Sequence, residues 1–305
     1  LWPAFVSHST SLHKPLNLFK ADLLLLLVTV LAAISWMFSK EALAEFPPLL
    51  FIGTRFLLAG LLLAIPGFKP LTRLTKKQWK ASAGVGVLFG AAMSFWIIGF
   101  FSAKHLGEGS FITSLSVVLV PLVSWLLFRD SISRSNWVAL PLAFTGLGLL
   151  SLQHGFQPEP SQLFFFISAL LLSLTFILNG RAASHVPALA LSAIQLSIVG
   201  IVALSLSAAT ETWPDHWTGN MWWWLGLSIT VGTAARFFIQ TYAQGMSSPS
   251  HAAVIMIIEP VWTSLFAAAW FGERMEPSQL FGCSLIFTAL VVNRWNAVRK
   301  WLKRS

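Results

Sequence analysis

The sequence repeats itself once, and this duplication constrains the fold more than any other feature of the chain. The interval from Pro47 to Pro187 is the same as the interval from Gly60 to Gly200, and we call it the repeat interval. The full set of paired positions is Pro47 with Pro187, Gly60 with Gly200, Pro121 with Pro260, and Phe144-Thr145 with Phe287-Thr288. A chain whose halves share these landmarks in the same order is expected to fold as two copies of one structural unit.

Apolar segments long enough to cross a bilayer follow one another along both copies. A transmembrane helix needs roughly 20 predominantly apolar residues, and only 10% of the chain is charged, against about a quarter in a soluble domain. The ten segments are 22–40, 47–67, 81–103, 109–128, 135–153, 162–180, 187–208, 221–243, 252–271 and 278–297. Because hydrocarbon offers the backbone no hydrogen bonds, each should be a helix. The sequence predicts an all-α polytopic membrane protein with ten transmembrane helices.

Each copy contains five segments, and this odd number determines how the copies are related. A unit with five crossings starts and ends on opposite sides of the membrane, so the second copy is inverted relative to the first. The expected parts are a cytoplasmic N-terminal arm (1–20), a first five-helix repeat (21–153), a second five-helix repeat (161–298) and a basic cytoplasmic tail (299–305). Inverted repeats are common in secondary transporters, which bind substrate near the midplane between the copies.

The net charge of +9 suggests nucleic acid binding only until the charges are placed along the chain. Of the 20 Lys and Arg residues, Arg55 and Arg236 lie deep inside apolar segments, three (Lys40, Lys104 and Arg274) in or next to outer loops, and the other fifteen in cytoplasmic segments or at the cytoplasmic ends of apolar segments. This asymmetry follows the positive-inside rule. It predicts cytoplasmic N- and C-termini and argues against a nucleic acid partner. The first segment lacks a cleavage pattern after it and is expected to be helix 1.

Arg55 and Glu259 are expected near the bilayer midplane, where a charge costs about 2.5–3.5 kcal/mol on insertion scales. The other copy holds uncharged residues at these positions, Gln195 for Arg55 and Val120 for Glu259. Glu259 is either a structural carboxylate held by Arg55 or by hydroxyls, or a cavity group that binds a proton or a cation. Arg55 either tethers helices or contacts an anionic group of the substrate. Both alternatives are compatible with the sequence.

Pro121 and Pro260 occupy equivalent positions in the fourth and ninth segments, where each removes a helical hydrogen bond. They predict a helix kink in both copies, either as a packing feature or as a bend that shapes the central site. Beyond these prolines the copies differ in length. The stretch between Pro260 and Phe287 is four residues longer than the stretch between Pro121 and Phe144. The second copy therefore has either one more helical turn or a longer loop at 272–277.

Arg236 and two tryptophans complete the set of candidate residues. Arg236 falls in the inner third of the eighth segment, where it either extends to the cytoplasmic surface or binds substrate. Trp36 and Trp262 are candidates for stacking on a planar substrate, with lipid or core packing as the alternative. The sequence has no metal-ligand cluster, no phosphate-binding glycine loop and no pair of intramembrane acids. We therefore expect no metal, no cofactor and no catalytic pair, and an enzyme or an ATP-driven pump is disfavoured.

Short motifs in both copies resemble the drug/metabolite transporter superfamily, and within it the EamA-type carriers with ten helices. The likeness extends over residues 20–298. The residues that carry it are Trp36, Met37 (a glycine in the family) and Lys40; Thr54-Arg55-Phe56; Glu259-Pro260-Val261; Gly272-Glu273-Arg274; and Gly282. The first copy keeps Pro121 but has Phe128-Arg129-Asp130 where Gly-Glu-Arg would stand.

This resemblance implies a carrier in the bacterial plasma (inner) membrane that exports amino acids or other small metabolites by alternating access. It implies a central cavity, with the fifth and tenth helices at the periphery. The substrate-binding residues carried over are Trp36, Arg55, Gln195, Arg236, Glu259 and Trp262. The expected partners are a small-molecule substrate, the lipid bilayer and protons coupled through Glu259. An uncoupled facilitator and a lipid-handling protein are the alternatives, and the sequence predicts no oligomeric state.

Overall fold

The computed structural model describes residues 15–102, 106–152, 159–214, 216, 218–272 and 275–293. The predicted tail (299–305), residues 1–14 of the predicted arm, and the outer-loop residues Lys104, Glu273 and Arg274 lie outside this range. The helices are α1 (Pro15–Ala42), α2 (Pro48–Ala64), α3 (Phe68–Thr72), α4 (Lys76–Ser102), α5 (Leu106–Phe128), α6 (Arg134–Ser151), α7 (Ser161–Ala183), α8 (Ala188–Thr210), α9 (Gly219–Leu227), a π-helical segment (Ser228–Ala235), α10 (Arg236–Gln244), α11 (Pro249–Met256), α12 (Glu259–Phe271) and α13 (Pro277–Asn293).

Ten crossings can be traced through these helices. The eighth consists of α9, the π-helical segment and α10, the ninth consists of α11 and α12, and α3 is a short helix between the second and third. Among the described residues, six helical stretches are long and apolar enough to span a membrane, and α2 and α13 are shorter apolar helices. The described part of the chain contains helices, turns and loops but no strand, which confirms the all-α prediction.

The connecting segments alternate between two ends of the helix bundle, one basic and one acidic. The basic end comprises the segments 65–75, 129–133, 184–187 and 245–248, and the acidic end comprises the described parts of 43–47, 211–218 and 272–276. Segments far apart in sequence meet at each end. At the basic end, the Gln78 side-chain amide donates to the His185 carbonyl at 2.7 Å. The positive-inside rule predicts that the basic end faces the cytoplasm.

Two carboxylates at the acidic end hold helix termini and loops in place. Glu211 accepts hydrogen bonds from the backbone amides of Leu49 and Leu50, both at 2.8 Å, and so caps the start of α2 from the second copy. The first amides of a helix have no partner within it, so such a carboxylate stabilises the helix. Glu45 accepts from Thr218 and Asn220 at 2.5 and 2.8 Å, and these hydrogen bonds hold the pKa of Glu45 below its usual range.

α2 and α8 pack together more extensively than any other pair of helices, and their crossing is built from repeat-equivalent residues. A Cβ on Gly60 would fall 2.7 Å from the backbone nitrogen of Ser197, and a Cβ on Gly200 would collide with the backbone of Leu57. Ser197 follows Leu57 by the same repeat interval that separates the two glycines. Small residues let helix backbones approach closely, so this crossing lies where the two copies meet.

The larger contacts between the two copies also occur in repeat-equivalent pairs. The contact of α5 with α7 corresponds to the contact of α12 with α1. The contact of α4 with α7 corresponds to the contact of α10 with α1. α6 packs mainly on α13, so the fifth and tenth crossings form a peripheral pair. Each contact and its equivalent join helices of opposite copies. These pairings fit two inverted five-helix repeats, as the odd number of crossings predicted.

The length difference beyond the paired prolines is one helical turn. α5 ends at Phe128, seven residues after Pro121, whereas α12 ends at Phe271, eleven residues after Pro260. The connections to the next helices, 129–133 and 272–276, are both five residues long. Each connection begins with a residue of positive φ, 57° at Arg129 and 67° at Gly272. The four extra residues therefore extend α12, and the loop is not longer.

Candidate functional site

Glu259 lies in the middle of the ninth crossing, directly after a break in the helix. α11 ends at Met256, and α12 begins at Glu259. Pro260 has no backbone N–H, so it cannot donate to the carbonyl one turn earlier. Ten residues separate Glu259 from the start of α11 at Pro249 and twelve from the end of α12, which corresponds to about 15 and 18 Å at 1.5 Å per residue. This depth agrees with the midplane position expected from the sequence.

The ion-pair partner of Glu259 is Arg236. The Arg236 Nη2 and Glu259 Oε2 atoms are 3.4 Å apart, and the two side chains are 18% and 19% exposed. Arg236 is the first residue after the π-helical segment, and π-helical turns frequently mark functional sites. The Arg236 side chain therefore points to the middle of the bundle instead of extending to the basic surface, which was the alternative left open by the sequence.

Arg55 is engaged by hydroxyl groups. Its Nε donates to Thr233 Oγ1 at 2.7 Å and its Nη1 to Ser39 Oγ at 2.6 Å. The guanidinium carbon is 5.6 and 5.5 Å from the ring centroids of Phe51 and Phe56. Arg55 is only 8% exposed. Arg55 connects α2 to α1 and to the π-helical segment, which supports the tethering interpretation. The ion pair with Glu259 is formed by Arg236.

The middle of the bundle thus holds two guanidinium groups and one carboxylate. Arg55 bonds Thr233, which lies three residues before Arg236, and among the described residues Glu259 forms an ion pair with Arg236 and none with Arg55. Charges in a region of low dielectric act more strongly than in water. The excess of positive charge favours a ligand that brings an anionic group.

Three buried polar atoms near the Arg236–Glu259 pair have no hydrogen-bond partner within the described part of the chain. They are Arg236 Nε, Gln240 Oε1 and Trp262 Nε1. Gln240 lies one helical turn after Arg236, and Trp262 lies three residues after Glu259, so each shares a helix face with a member of the pair. Leaving a buried polar group unsatisfied costs about 1–3 kcal/mol. Two donors and one acceptor are therefore available to a polar ligand.

The two predicted tryptophans differ in environment. Trp262 is partly buried, packs against the large apolar cluster of α5, α6 and α11, and stacks on Phe266 with 6.4 Å between ring centroids. Trp36 is 50% exposed on α1. Trp262 is thus held by its surroundings with its indole N–H still available. Substrate contact by Trp36 stays a prediction.

Arg55 with Ser39 and Thr233 forms one polar cluster. Gln195 belongs to a second polar cluster, nearer the basic end. Its Nε2 donates to Thr241 Oγ1 at 3.4 Å, and Asn179 Nδ2 donates to Gln244 Oε1 at 2.5 Å and to Thr241 Oγ1 at 3.3 Å. Thr241 comes five residues after Arg236, or about 7.5 Å along the helix axis. The hydrogen bond of Gln195 is thus made to Thr241 and not to the Arg236–Glu259 pair, and its place in one shared substrate site stays a prediction.

The two polar clusters are equivalents in the two repeats. Ser39 and Arg55 in the first copy precede Asn179 and Gln195 in the second by the repeat interval. Arg55 bonds Ser39 directly, and Asn179 and Gln195 meet through the Thr241 hydroxyl. The polar residues not identified from the sequence are Ser39, Asn179, Thr233, Gln240, Thr241 and Gln244. The repeat interval was a signal that pointed to the first two.

The two prolines predicted to kink their helices have different surroundings. α5 continues through Pro121 without interruption, whereas the ninth crossing is broken just before Pro260. Val120, which occupies the position of Glu259 in the first copy, is fully buried against Ile177 and Ala253. The first copy therefore has an apolar contact where the second copy has the ion pair.

A cavity of about 500 Å³ lies between α5 and α6, away from these residues. Its lining is apolar except for one hydroxyl, and consists of Phe111, Phe144, Thr145, Gly148, Leu149 and Leu152. It contains none of the predicted site residues. Its apolar lining on α5 and on the peripheral helix α6 suits lipid contact better than binding of a polar substrate.

Comparisons with known proteins agree with this fold. The model of the EamA-like transporter family matches residues 19–152 and 160–295. An uncharacterized transporter of Archaeoglobus fulgidus is 29% identical over 276 residues, covering 89% of this chain and 85% of that protein. The uncharacterized transporter YvbV of Bacillus subtilis is 26% identical over 298 residues, covering 94% and 96%. A solved crystal structure, 19% identical, shares the fold with a TM-score of 0.76 over 91% of this chain and 98% of that chain. The chain belongs to the EamA-like transporter family and is a membrane transporter of the drug/metabolite transporter superfamily.

Proposed function

We propose that the chain is a secondary transporter that exports a small metabolite, an amino acid or a related polar or aromatic compound, across the bacterial inner membrane by alternating access. The observation that carries the proposal is the Arg236–Glu259 pair. It lies at mid-depth between a π-helical segment and a helix break. Broken helices near the midplane are where secondary transporters bind substrates and coupling ions.

Substrate binding follows from the charges and the unsatisfied atoms. An anionic group of the substrate competes with Glu259 for the Arg236 guanidinium and also accepts from Arg236 Nε and Trp262 Nε1. The Gln240 carbonyl oxygen and the displaced Glu259 carboxylate accept from a donor group of the substrate. The loose geometry of the pair, one contact at 3.4 Å, favours such an exchange because a bidentate Arg–carboxylate pair would hold both groups more firmly.

Glu259 is proposed to couple transport to protons. The deprotonated carboxylate accepts from the donor group of the substrate, and a proton taken up by Glu259 on the outer side removes this interaction and favours release, so that proton and substrate exclude each other. Release of the proton to the cytoplasm lets Glu259 pair with Arg236 again, and protons thereby move inward as substrate moves outward. The basic end faces the cytoplasm in this proposal, in line with the positive-inside rule.

The uncoupled facilitator is the second candidate, and the ion pair itself is the observation in its favour. Glu259 is paired with Arg236 at 3.4 Å, so a role for the carboxylate does not require a coupled proton. In a facilitator the pair would only brace α10 against α12 or bind substrate. The two candidates differ in whether a pH gradient drives accumulation of the substrate.

The experiment starts with a ligand and proceeds to flux. A thermal-shift screen of the purified protein against amino acids, nucleobases, polyamines and drugs identifies a stabilising compound. Proteoliposomes then measure counterflow of that compound and its accumulation under an imposed pH gradient. Arg236→Gln should abolish both, whereas Glu259→Gln should retain counterflow and lose the gradient-driven accumulation. Glu276→Gln, at an exposed position of the acidic end, is the matched control.

Two results would contradict the proposal. The first is wild-type flux that does not change with the pH gradient, together with transport by Glu259→Gln at the wild-type rate. This result would favour the facilitator over the proton-coupled transporter. If only lipids stabilise the protein in the screen, the lipid-handling alternative replaces metabolite export.

A further inference from the structure

At the basic end, one ion pair connects a helix of the second copy to the first. Arg181, in the last turn of α7, pairs with Asp130, just after α5, with 2.7 Å between Arg181 Nη2 and Asp130 Oδ2. Ser124 also donates a hydrogen bond to the Asp130 carboxylate. The Arg181 guanidinium lies 4.1 Å from the centre of the Phe128 ring. These contacts close the α5–α7 boundary at this end.

A corresponding contact connects α1 to α12 at the acidic end. The Trp270 indole Nε1 donates to Glu41 Oε1 at 3.1 Å. The Lys40 ammonium lies 4.0 Å from the centre of the Phe271 ring. The Trp270 ring also packs edge-on against Phe38, with 6.5 Å between centroids. Hydrogen-bonding, cation–π and ring contacts together close the α1–α12 boundary.

The two contacts share one equivalent position in the two repeats, and their second partners lie one residue apart in the repeat alignment. Glu41 precedes Pro47 by six residues, and Arg181 precedes Pro187 by six. Asp130 follows Pro121 by nine residues, and Trp270 follows Pro260 by ten. Because the repeats are inverted, equivalent contacts lie at opposite ends of the bundle. The midplane pair Arg236–Glu259 lies between them.

An apolar contact lies below the ion pair, between it and the middle of the bundle. Val120, Ile177 and Ala253 are fully buried against one another where α5, α7 and α11 meet. Val120 is eight residues from the end of α5, or about 12 Å along the helix. The ion pair and this apolar contact therefore lie one behind the other along the α5–α7 boundary.

We propose that Arg181–Asp130 and Glu41–Trp270 are the two gates of the transporter, closed alternately. We call them the basic gate (Arg181, Asp130) and the acidic gate (Glu41, Trp270). The inference rests on the alternating-access function proposed above. In the basic gate a charged donor bonds a charged acceptor, whereas in the acidic gate the donor is neutral. Hydrogen bonds between charged groups are the stronger kind. The resting protein accordingly favours closure at the basic end.

The test measures access to a buried reporter and requires no substrate. Cys283→Ala removes the only cysteine, and Val120→Cys then places a reporter behind the basic gate. A membrane-impermeant maleimide is added from each side of oriented membrane vesicles in turn. Slow labelling is expected in this parent because Val120 is fully buried. Asp130→Asn should raise the labelling rate from the basic side by up to about fivefold, since it removes the charge from an ion pair whose side chains are 23% and 39% exposed.

Three further variants make the test specific. Trp270→Phe weakens the acidic gate and should lower labelling from the basic side below the parent rate. The charge exchange Arg181→Asp with Asp130→Arg should return the rate to within about twofold of the parent. Asp22→Asn is the matched control. Its carboxylate also contacts a nitrogen side chain at the basic end, His251 at 2.8 Å, but joins α1 to α11. It should leave the rate unchanged.

The proposal is overturned if Asp130→Asn leaves the rate at the parent value, or if Asp22→Asn raises it as much. An increase with Trp270→Phe would also overturn it, because loosening one gate should favour closure of the other. If Asp130→Asn does not fold, the charge exchange alone decides, and a rate well above the parent counts against the gates. The labelling assay is independent of flux, so its failure is distinct from a failure to transport.

Discussion

Removing a hydroxyl that holds Arg55 should destabilise the protein more than removing Arg55 itself. The comparison is between Thr233→Val and Arg55→Met, two substitutions that keep most of the side-chain volume. Arg55 is 8% exposed, and its Nε donates to Thr233 Oγ1 at 2.7 Å. Valine offers no acceptor at this position. The variant therefore leaves a buried charged donor without its partner.

The magnitudes follow from the partners that each substitution leaves behind. An unsatisfied buried donor costs about 1–3 kcal/mol, and more when it is charged, so Thr233→Val should lose about 2–3 kcal/mol. In Arg55→Met both hydroxyls keep an acceptor, because Thr233 donates to the Ser228 carbonyl at 2.8 Å and Ser39 to the Ser35 carbonyl at 2.6 Å. The substitution also removes the desolvation cost of a buried guanidinium. Its net effect should stay within about 1 kcal/mol.

Reversible unfolding in mixed detergent micelles, followed by tryptophan fluorescence, gives the free energies of unfolding. The double variant Arg55→Met/Thr233→Val should resemble Arg55→Met, with a coupling energy of about 2 kcal/mol between the sites. This expectation is refuted if Arg55→Met loses more free energy of unfolding than Thr233→Val, or if the two effects simply add. Either result would mean that Arg55 contributes net stability by itself.

Three other perturbations test the fold. Glu211→Ala should lower the free energy of unfolding by about 1–2 kcal/mol because it uncaps α2, measured by the same denaturation. Gly200→Ala places a Cβ against the α2 backbone and should cost about 1–3 kcal/mol, whereas Gly84→Ala, with nothing within 4 Å of the new Cβ, should be neutral. The depressed pKa of Glu45 means that its contribution is present above the ordinary Glu pKa of about 4.3 and is lost as pH falls through the lower folded value. Amide exchange in segment 218–222 should accelerate over that range, and Glu45→Gln should remove the pH dependence.

The architecture could be predicted from the lengths of the apolar segments and from the positions shared by the two copies. Apolar run length defined the crossings, and matched prolines and glycines revealed the duplication. The odd number of spans then required inversion. Depth could also be predicted, because it depends only on counting residues from a helix end. Arg55 and Glu259 were therefore placed near mid-depth from the sequence alone.

Contacts across helices were not predictable in the same way. Whether Arg55 or Arg236 meets Glu259 depends on the rotation of each helix about its axis. The π-helical segment before Arg236 changes that rotation, and the break at Ile257–Ile258 changes it for the ninth crossing. Neither interruption follows from hydrophobicity. Gln195 was grouped with the charged pair as the repeat partner of Arg55 and through the family resemblance, and its hydrogen bond goes to Thr241.

Repeat equivalence turned out to be more informative than depth. It relates Ser39 and Arg55 to Asn179 and Gln195, and the acidic gate to the basic gate. The chemistry changes between the copies while the positions are kept. Hydroxyls and a guanidinium in one copy are replaced by amides in the other, and a Trp–Glu hydrogen bond is replaced by an Arg–Asp ion pair.

Proton-driven accumulation in proteoliposomes tests the role of the Arg236–Glu259 pair most closely. The substrate is the compound identified by thermal shift, and wild type, Glu259→Gln and Glu276→Gln are compared with and without a pH gradient. We predict gradient-driven accumulation by wild type and Glu276→Gln, and counterflow without accumulation by Glu259→Gln. Accumulation by Glu259→Gln at the wild-type level would contradict a coupling role for the carboxylate.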